Sequence, residues 1–262
     1  MIICVNNNKG GSLKTTVTTN LAGVLAQQGK KVLIIDTDNQ SNVAMSFGKN
    51  PDDYNYGLFD VLVDGLPAEH AIVNVHENID ILPATDDLVG FDFEVIGNIE
   101  EYPFPFHIMK DKCSHLKSQY DYILIDTPPS LSLMVGNVFT FADKVLIPFA
   151  PETYSMRSLV KVVSAINEFK ATHNPNIELL GVVATMVKAQ TTLHSGVMQE
   201  TRRFAYENNL KMFETFIPNT VRYASAVAFD KLPATLTAKR NDKAEVYFDL
   251  WKEIESDVKQ PK

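Results

Sequence analysis

Three stretches of the chain hold residues that could do chemistry on a phosphate. The first is Lys9-Gly10-Gly11-Ser12-Leu13-Lys14-Thr15-Thr16, which joins an apolar run, Ile2-Ile3-Cys4-Val5, to a segment with helical periodicity. A glycine-rich loop between a strand and a helix N-terminus gathers several backbone N–H groups at one point. Those amides and the helix dipole favour an anion. In that geometry Lys14 reaches the β- and γ-phosphates of a nucleotide, and the Thr15 hydroxyl sits on Mg2+. The second stretch is Asp36-Thr37-Asp38, at the end of the run Val32-Leu33-Ile34-Ile35. The third is Asp126, at the end of Tyr122-Ile123-Leu124-Ile125 and before a Pro-Pro turn. A carboxylate at a strand end beside a phosphate loop can hold Mg2+ directly or through water.

The elements that must position these residues alternate along the chain. Strands are predicted at Ile2–Val5, Val32–Ile35, Ile79–Leu82, Tyr122–Ile125, Val145–Ile147, Leu179–Thr185 and Met212–Ile217. Helices are predicted over 15–28, with Gly29 as the terminating residue, and near 57–63, 105–118, 156–170, 194–208 and 244–258. Nearly continuous apolar strands separated by helices indicate an α/β fold, a doubly wound, mostly parallel sheet flanked by helices. No repeat or Pro/Gly-rich linker interrupts the 262 residues, so 1–262 is read as a single domain. The stretch 87–112, with Tyr102-Pro103-Phe104-Pro105-Phe106, has no clear period.

Composition excludes several classes. Hydrophobic residues make up 45% and charged residues 21%, which rules out a globally disordered chain. No apolar run is long enough to span a bilayer, and the N-terminus has no leader-like pattern. The two cysteines, Cys4 and Cys113, give neither a disulfide framework nor a metal quartet, and they suit a reducing cytosol. Net charge is −8, a poor prior for nucleic-acid binding, but basic residues outnumber acidic ones from 186 onward. A local basic face is therefore compatible with an acidic whole.

The loop departs from the general G-x-x-x-x-G-K-S/T pattern, with Asn8 and Leu13 where glycines would stand. With its second lysine, Lys9, it resembles the deviant Walker A loop K-G-G-x-G-K-T-T of the ParA/MinD family of P-loop ATPases. The resemblance extends to Asp36-Thr37-Asp38-Asn39-Gln40, similar to a D-x-D-x-Q segment, and to Asp126-Thr127-Pro128-Pro129-Ser130. Ile217-Pro218-Asn219-Thr220-Val221-Arg222 and Ala244-Glu245-Val246-Tyr247 look more like ParA than MinD. With no helix-turn-helix pattern ahead of the loop, the chain resembles the small, Soj-like ParA class.

The resemblance implies an ATPase with ATP and Mg2+ as cofactors. It implies slow hydrolysis stimulated by a ParB-like centromere-binding protein and an ATP-dependent sandwich homodimer. Non-specific duplex DNA binding would serve plasmid or chromosome partitioning, and the location would be cytoplasmic, on the nucleoid when ATP is bound. By the resemblance the nucleotide contacts are Lys9, Gly10, Gly11, Ser12, Leu13, Lys14, Thr15 and Thr16. Met186 and Pro218 lie where the family holds adenine. Thr15, Asp126 and Asp38 serve the metal, and Lys9, Lys14 and Asp38 are catalytic. Lys9 reaches the partner's phosphates across the dimer, and Asp38 orients the attacking water. For Asp36 a structural role and a catalytic one are equally open. Arg222, Lys188, Arg203 and Lys231 are the DNA-binding candidates, with Arg202, Lys239, Arg240 and Lys243 as possible neighbours.

Two departures bear on this expectation. Leu13 replaces a glycine, and a Cβ there crowds the phosphates or strains the loop. Either the side chain turns away and the amide still donates, or nucleotide binding is weakened and the protein is a non-hydrolysing scaffold. Gln190 stands where relatives carry a second DNA-contacting arginine. A MinD-like membrane or cargo-positioning ATPase is a further alternative. However, the last helix presents Glu253, Glu255 and Asp257, which an anionic membrane repels. An electron-transferring reductase built on the same loop needs a metal-cluster cysteine pair, which the chain lacks.

Overall fold

A computed structural model describes residues 1–188, 192–238 and 242–259. In chain order the elements are β1 (Ile2–Val5), α1 (Lys14–Gln27), β2 (Val32–Asp36), α2 (Asn42–Ser46), α3 (Leu58–Leu62), α4 (Ala68–Ala71), β3 (Val73–His76) and β4 (Ile79–Leu82). There follow α5 (Phe91–Gly97), α6 (Ile108–Cys113), β5 (Tyr122–Asp126), α7 (Leu133–Phe141), β6 (Lys144–Phe149) and α8 (Ser155–Thr172). The chain ends with β7 (Glu178–Val187), α9 (Thr192–Glu207), β8 (Met212–Pro218), α10 (Arg222–Ser225) and α11 (Asp242–Lys259). The strands form one sheet in the order β3-β4-β2-β5-β1-β6-β7-β8. Every pair is parallel except β3 with β4.

Strand alternation divides the core between two layers. Ile2, Cys4, Leu33, Ile35, Ile123 and Ile125 point to one face, and Ile3, Val5, Val32, Ile34 and Leu124 to the other. Both faces are covered, which is why these strands read as unbroken apolar runs. Register sets Val5 opposite Asp126 and Asp126 opposite Asp36, so three strand ends lie abreast at one edge. In open α/β sheets this carboxyl edge is where ligands bind. The buried thiols of Cys4 and Cys113 are unpaired, and burial pushes Cys113 up to about 12.

The predicted strands are all present, and Gly29 ends the first helix at φ +75, its N–H donating to the Ala26 carbonyl. Three differences have physical reasons. Helix α7 has no apolar stripe to read, because Met134 through Phe141 are buried on all sides. Strand β3 is a half-exposed antiparallel edge, too short and polar to stand out. The span 105–118 is α6 followed by a 3₁₀ turn at Ser114–Ser118, and within 87–112 a 3₁₀ turn at Asp86–Gly90 leads into α5.

Helix α11 packs on the domain. Tyr247, Leu250, Trp251 and Ile254 are buried, and Glu253 accepts hydrogen bonds from the Glu214 and Thr215 amides at 3.0 and 2.8 Å. That carboxylate occupies donors on the edge strand β8 that would otherwise be free to pair with another chain. Helix α1 is held from outside by the segment around Thr235, whose amide donates to Asn20 Oδ1 and whose hydroxyl donates to the Asn20 carbonyl, both at 3.0 Å. A Cβ on Gly23 would lie 2.3 Å from Thr235 Oγ1, so only glycine allows this approach. Among the described residues no helix is long and apolar enough to cross a membrane.

Candidate nucleotide site

The loop from 6 to 13 leaves β1 at the sheet's carboxyl edge and is pinned from both sides. Asn7 Nδ2 donates to the Pro148 carbonyl on β6 at 2.6 Å, and Asn7 Oδ1 accepts the Lys9 amide at 3.1 Å. The Thr185 hydroxyl on β7 donates to the Ser12 carbonyl at 3.1 Å, and the Ser12 hydroxyl donates back to the Lys9 carbonyl at 3.1 Å. Gly10 and Gly11 are exposed, and a Cβ on either would meet nothing, so their surface is open to a ligand.

Leu13 adopts the left-handed conformation at φ 64 and ψ 28 and forms the N-cap of α1. This conformation costs a non-glycine residue about 1–2 kcal/mol. Its side chain is half-buried against the core layer that holds Ile3, Val17 and Leu21, so it turns away from the loop's open side. Helix α1 starts normally behind it, with the Val17 amide donating to the Leu13 carbonyl at 2.8 Å.

Behind the loop lies a buried cluster of charges. Asp36, Asp38, Asp126 and Lys14 are all less than a tenth exposed. The Thr15 hydroxyl donates to Asp126 Oδ2 at 2.5 Å, and the Thr18 hydroxyl lies 3.2 Å from Oδ1. Burial pushes the Asp126 carboxyl up to about 7, against the Thr15 hydrogen bond and the charge of Lys14. Burial also raises Asp36, with Asp126 adding to the effect. Lys14 is lowered by burial, while Asp126 and Asp38 hold its proton on. The two oxygens of Asp36 accept the Asp38 amide at 3.0 Å and the Val43 amide at 3.1 Å. Asp36 therefore shapes the turn that carries Asp38 and the start of α2, which is a structural role.

Asp38 accepts the Gln40 amide at 3.1 Å. Three carboxylates against one ammonium leave the cluster short of positive charge. Hard oxygen donors at Thr15, Asp38 and Asp126 fit Mg2+. Among the described residues no three His, Cys, Asp or Glu side chains form a metal site of their own. The donor set thus fits an ion shared with phosphate oxygens rather than a protein cage.

Lys9 lies apart from this cluster. Its ammonium donates to Glu152 Oε2 at 2.5 Å and to Ser155 Oγ at 2.9 Å, at the start of α8. The hydrogen bond and charge of Lys9 hold the Glu152 carboxyl below its ordinary range. Beside it, Asn8, Tyr154, Arg157, Ser158 and Lys161 line an open recess of about 410 Å³. Thr16 is half-buried in the first turn of α1, where its carbonyl accepts Asn20 Nδ2 at 2.8 Å.

Met186 and Pro218 come together at the ends of β7 and β8, where Val187 is in register with Pro218. The Thr185–Ser12 hydrogen bond places them on the loop's β7 side. Of the basic candidates, Arg222 and Lys188 follow β8 and β7, and the Asn219 amide joins the two loops through the Val187 carbonyl at 3.2 Å. Lys231 lies against Gly48, after α2. Arg203 is not part of this group. It sits near the far end of α9, roughly 16 Å along the helix from its start at 1.5 Å per residue, and pairs with Glu207 at 2.9 Å. Arg202 pairs with Glu214. Gln190, Lys239 and Arg240 lie outside the described residues.

The sequence reading places the Thr185-Met186 strand end at the adenine side but misses the Thr185 contact with the loop, and it misses Thr18 and Glu152. Thr18 had a signal, since it follows Lys14 by one helical turn on the face toward the strand ends. Thr185 and Glu152 are joined to the loop only by the fold.

A family model described as an AAA domain matches residues 1–179. A ParA family protein of Mycoplasma pneumoniae is 34% identical over 97% of each chain. The sporulation initiation inhibitor protein Soj of Bacillus subtilis is 35% identical, also over 97% of each. Among solved structures, cobyrinic acid a,c-diamide synthase of Mycobacterium smegmatis, with bound ATP analogue and magnesium, superposes with a TM-score of 0.85 at 26% identity. That match covers 99% of this chain and 95% of the other.

The raised Asp126 carboxyl has a consequence for the protein free of metal and nucleotide. The folded state holds this proton to higher pH than the unfolded chain does. The group's contribution to stability is therefore present at low pH and is lost as pH rises from about 4 through about 7. Asp126→Asn keeps an acceptor for Thr15 and removes the charge. It is expected to unfold at higher temperature than wild type near pH 8, by an amount of order 1–3 kcal/mol. The gap should close towards about pH 5. Thermal melts of both proteins across this range check the sign.

Proposed function

The chain belongs to the ParA family of P-loop ATPases, and from that premise we propose that it is a DNA-partitioning ATPase that closes a sandwich dimer around Mg-ATP. The whole chain is read as one ATPase domain. The observation that carries the reading is the buried cluster of Lys14, Thr15, Asp38 and Asp126 directly behind an open glycine loop. Such a cluster costs folding energy, and a phosphate with its counter-ion is the ligand that relieves it.

In the proposed mechanism the loop amides and Lys14 bind the phosphates. Bound Mg2+ supplies charge neutralisation at the phosphate oxygens. Thr15 and Asp126, already joined at 2.5 Å, hold its coordination sphere. Asp38, on the turn fixed by Asp36, orients the attacking water and accepts its proton. Met186 and Pro218 flank the base. Lys9 leaves Glu152 and reaches the phosphates of the second protomer, where a cation offsets the charge of the transferring phosphoryl group. The half-buried Leu13 supports retained nucleotide binding over the scaffold alternative.

DNA binding is proposed for the edge formed by Arg222 and Lys188, with Lys231 nearby, as a non-specific and salt-sensitive contact. A ParB-like protein is the proposed trigger of hydrolysis. The packed, acidic α11 argues against membrane attachment.

Lys9→Ala is expected to abolish turnover and ATP-dependent dimerisation while nucleotide still binds. Phosphate release and sedimentation velocity with a slowly hydrolysed analogue read the two effects, and normal turnover would refute the role given to Lys9. Arg222→Ala is expected to weaken binding to arbitrary duplex by about tenfold, or about 1.4 kcal/mol, with ATP affinity unchanged. Fluorescence anisotropy at moderate salt checks it, and undiminished DNA affinity would remove Arg222 from the interface.

A further inference from the structure

An apolar opening lies away from the phosphate loop. It is a groove of about 410 Å³ between the α5 segment and helices α7 and α8, walled by Ile96, Ile99, Phe106, Leu131, Leu133 and Phe169. Ser132 is the one polar side chain in its lining, and its hydroxyl already accepts the Val135 amide as the cap of α7. Further large apolar side chains are exposed on the segment that walls the groove. Phe93 is 80% exposed, Phe104 70%, Ile96 64% and Val89 62%. An apolar groove flanked by exposed large apolar side chains is the kind of surface that marks an interaction site in a folded protein.

The segment that forms its α5 wall carries charge of one sign. From 50 to 109 the chain has thirteen Asp and Glu and no Lys or Arg. None of these carboxylates lines the groove, but several lie on the segment whose Ile96 and Ile99 wall it. Asp92, on α5, accepts the Leu133 amide at 3.3 Å, which ties the acidic helix to the groove's lip. Glu100 and Glu101 directly follow Ile99 and are exposed. Burial, with Glu94, Glu101 and Asp64 close by, raises the Tyr102 hydroxyl above its ordinary range, so these acids gather on one side. Of the cations on α8, Arg157 and Lys161 line the separate recess beside Lys9, and Lys170 follows Phe169 on the far wall of the groove from α5.

We propose that this groove docks a short amphipathic segment of a partner protein, with apolar side chains in the groove and Lys or Arg over the α5 carboxylates. Charge selects this occupant. Duplex DNA and anionic membranes are repelled by the rim, and a second copy of the chain would bring the same carboxylates against themselves. A basic amphipathic segment matches both the apolar floor and the acidic edge. The surface is distinct from the Arg222 edge and from the phosphate loop, so the proposal stands whether or not the partitioning reading holds.

The test selects a phage-displayed library of random short peptides on the full-length protein, and measures the recovered peptides by anisotropy. The expected peptides pair apolar residues with a net positive charge. Their affinity should fall by about tenfold or more for Ile96→Asp, and by a smaller factor for Glu94→Gln/Glu100→Gln/Glu101→Gln. Added salt should weaken them on wild type. Ile96 is exposed, so its substitution spares the core, and the glutamine variant decides the matter if Ile96→Asp does not fold. Recovered peptides without positive charge, or binding indifferent to both variants, would overturn the proposal. Flotation with phosphatidylglycerol vesicles, or self-association on sedimentation equilibrium, would also overturn it if wild type showed it and Ile96→Asp lost it.

Discussion

A carboxylate buried at the end of the central strands sets the terms for everything around it. Asp126 sits in register with Val5 and Asp36, so its position is fixed by the sheet itself. It is fully buried, and its two oxygens are met by hydroxyls of Thr15 and Thr18 on one face of α1. Those hydroxyls fix the rotation of α1 about its axis, and that rotation carries Lys14 into the same pocket. The Asp126 carbonyl, in turn, accepts the Thr37 hydroxyl and amide, which holds the turn leading to Asp38. Loop, helix and second acidic turn are thus assembled around one buried carboxylate. A site of this type stores electrostatic cost in the free protein and releases it on binding.

Leu13 shows how such a loop can absorb a residue that its geometry does not favour. A left-handed backbone ordinarily calls for glycine, because a Cβ crowds the following carbonyl. Here the same geometry directs the side chain into the layer of Val17 and Leu21, where burial of apolar surface offsets part of the cost. The exposed glycines stay at 10 and 11, on the side where close approach to a ligand is needed. The departure from the family pattern is accommodated by packing, without moving Lys14 or Thr15 from their places in the helix.

Much of the fold was legible because buried parallel strands leave unbroken apolar runs, and the phosphate loop was legible because its residues are contiguous. The unreadable parts have a common cause. Helix α7 is apolar on every side and has no period to detect, and the α5 segment is a series of short pieces held in place by α7 and α8. Within the site, Lys14, Thr15 and Asp126 were found as motif residues. The partners of Lys9 were not, because Glu152 and Ser155 are brought to it by the segment between β6 and α8, more than 140 residues away in the chain. The basic residues gave the weakest signal. A sequence holds no account of which arginines share a face, and the sheet separates Arg203 from Arg222.

The proposed function requires this buried cluster to be a working Mg-nucleotide site despite Leu13. The most direct test is calorimetric titration of ATP, with Mg2+ and with EDTA, into wild type and Leu13→Gly. Micromolar binding by wild type that depends on Mg2+, with at most a modest change in Leu13→Gly, is the predicted result. Absence of binding in wild type together with its recovery in Leu13→Gly would contradict the account and leave a protein whose nucleotide switch has been lost.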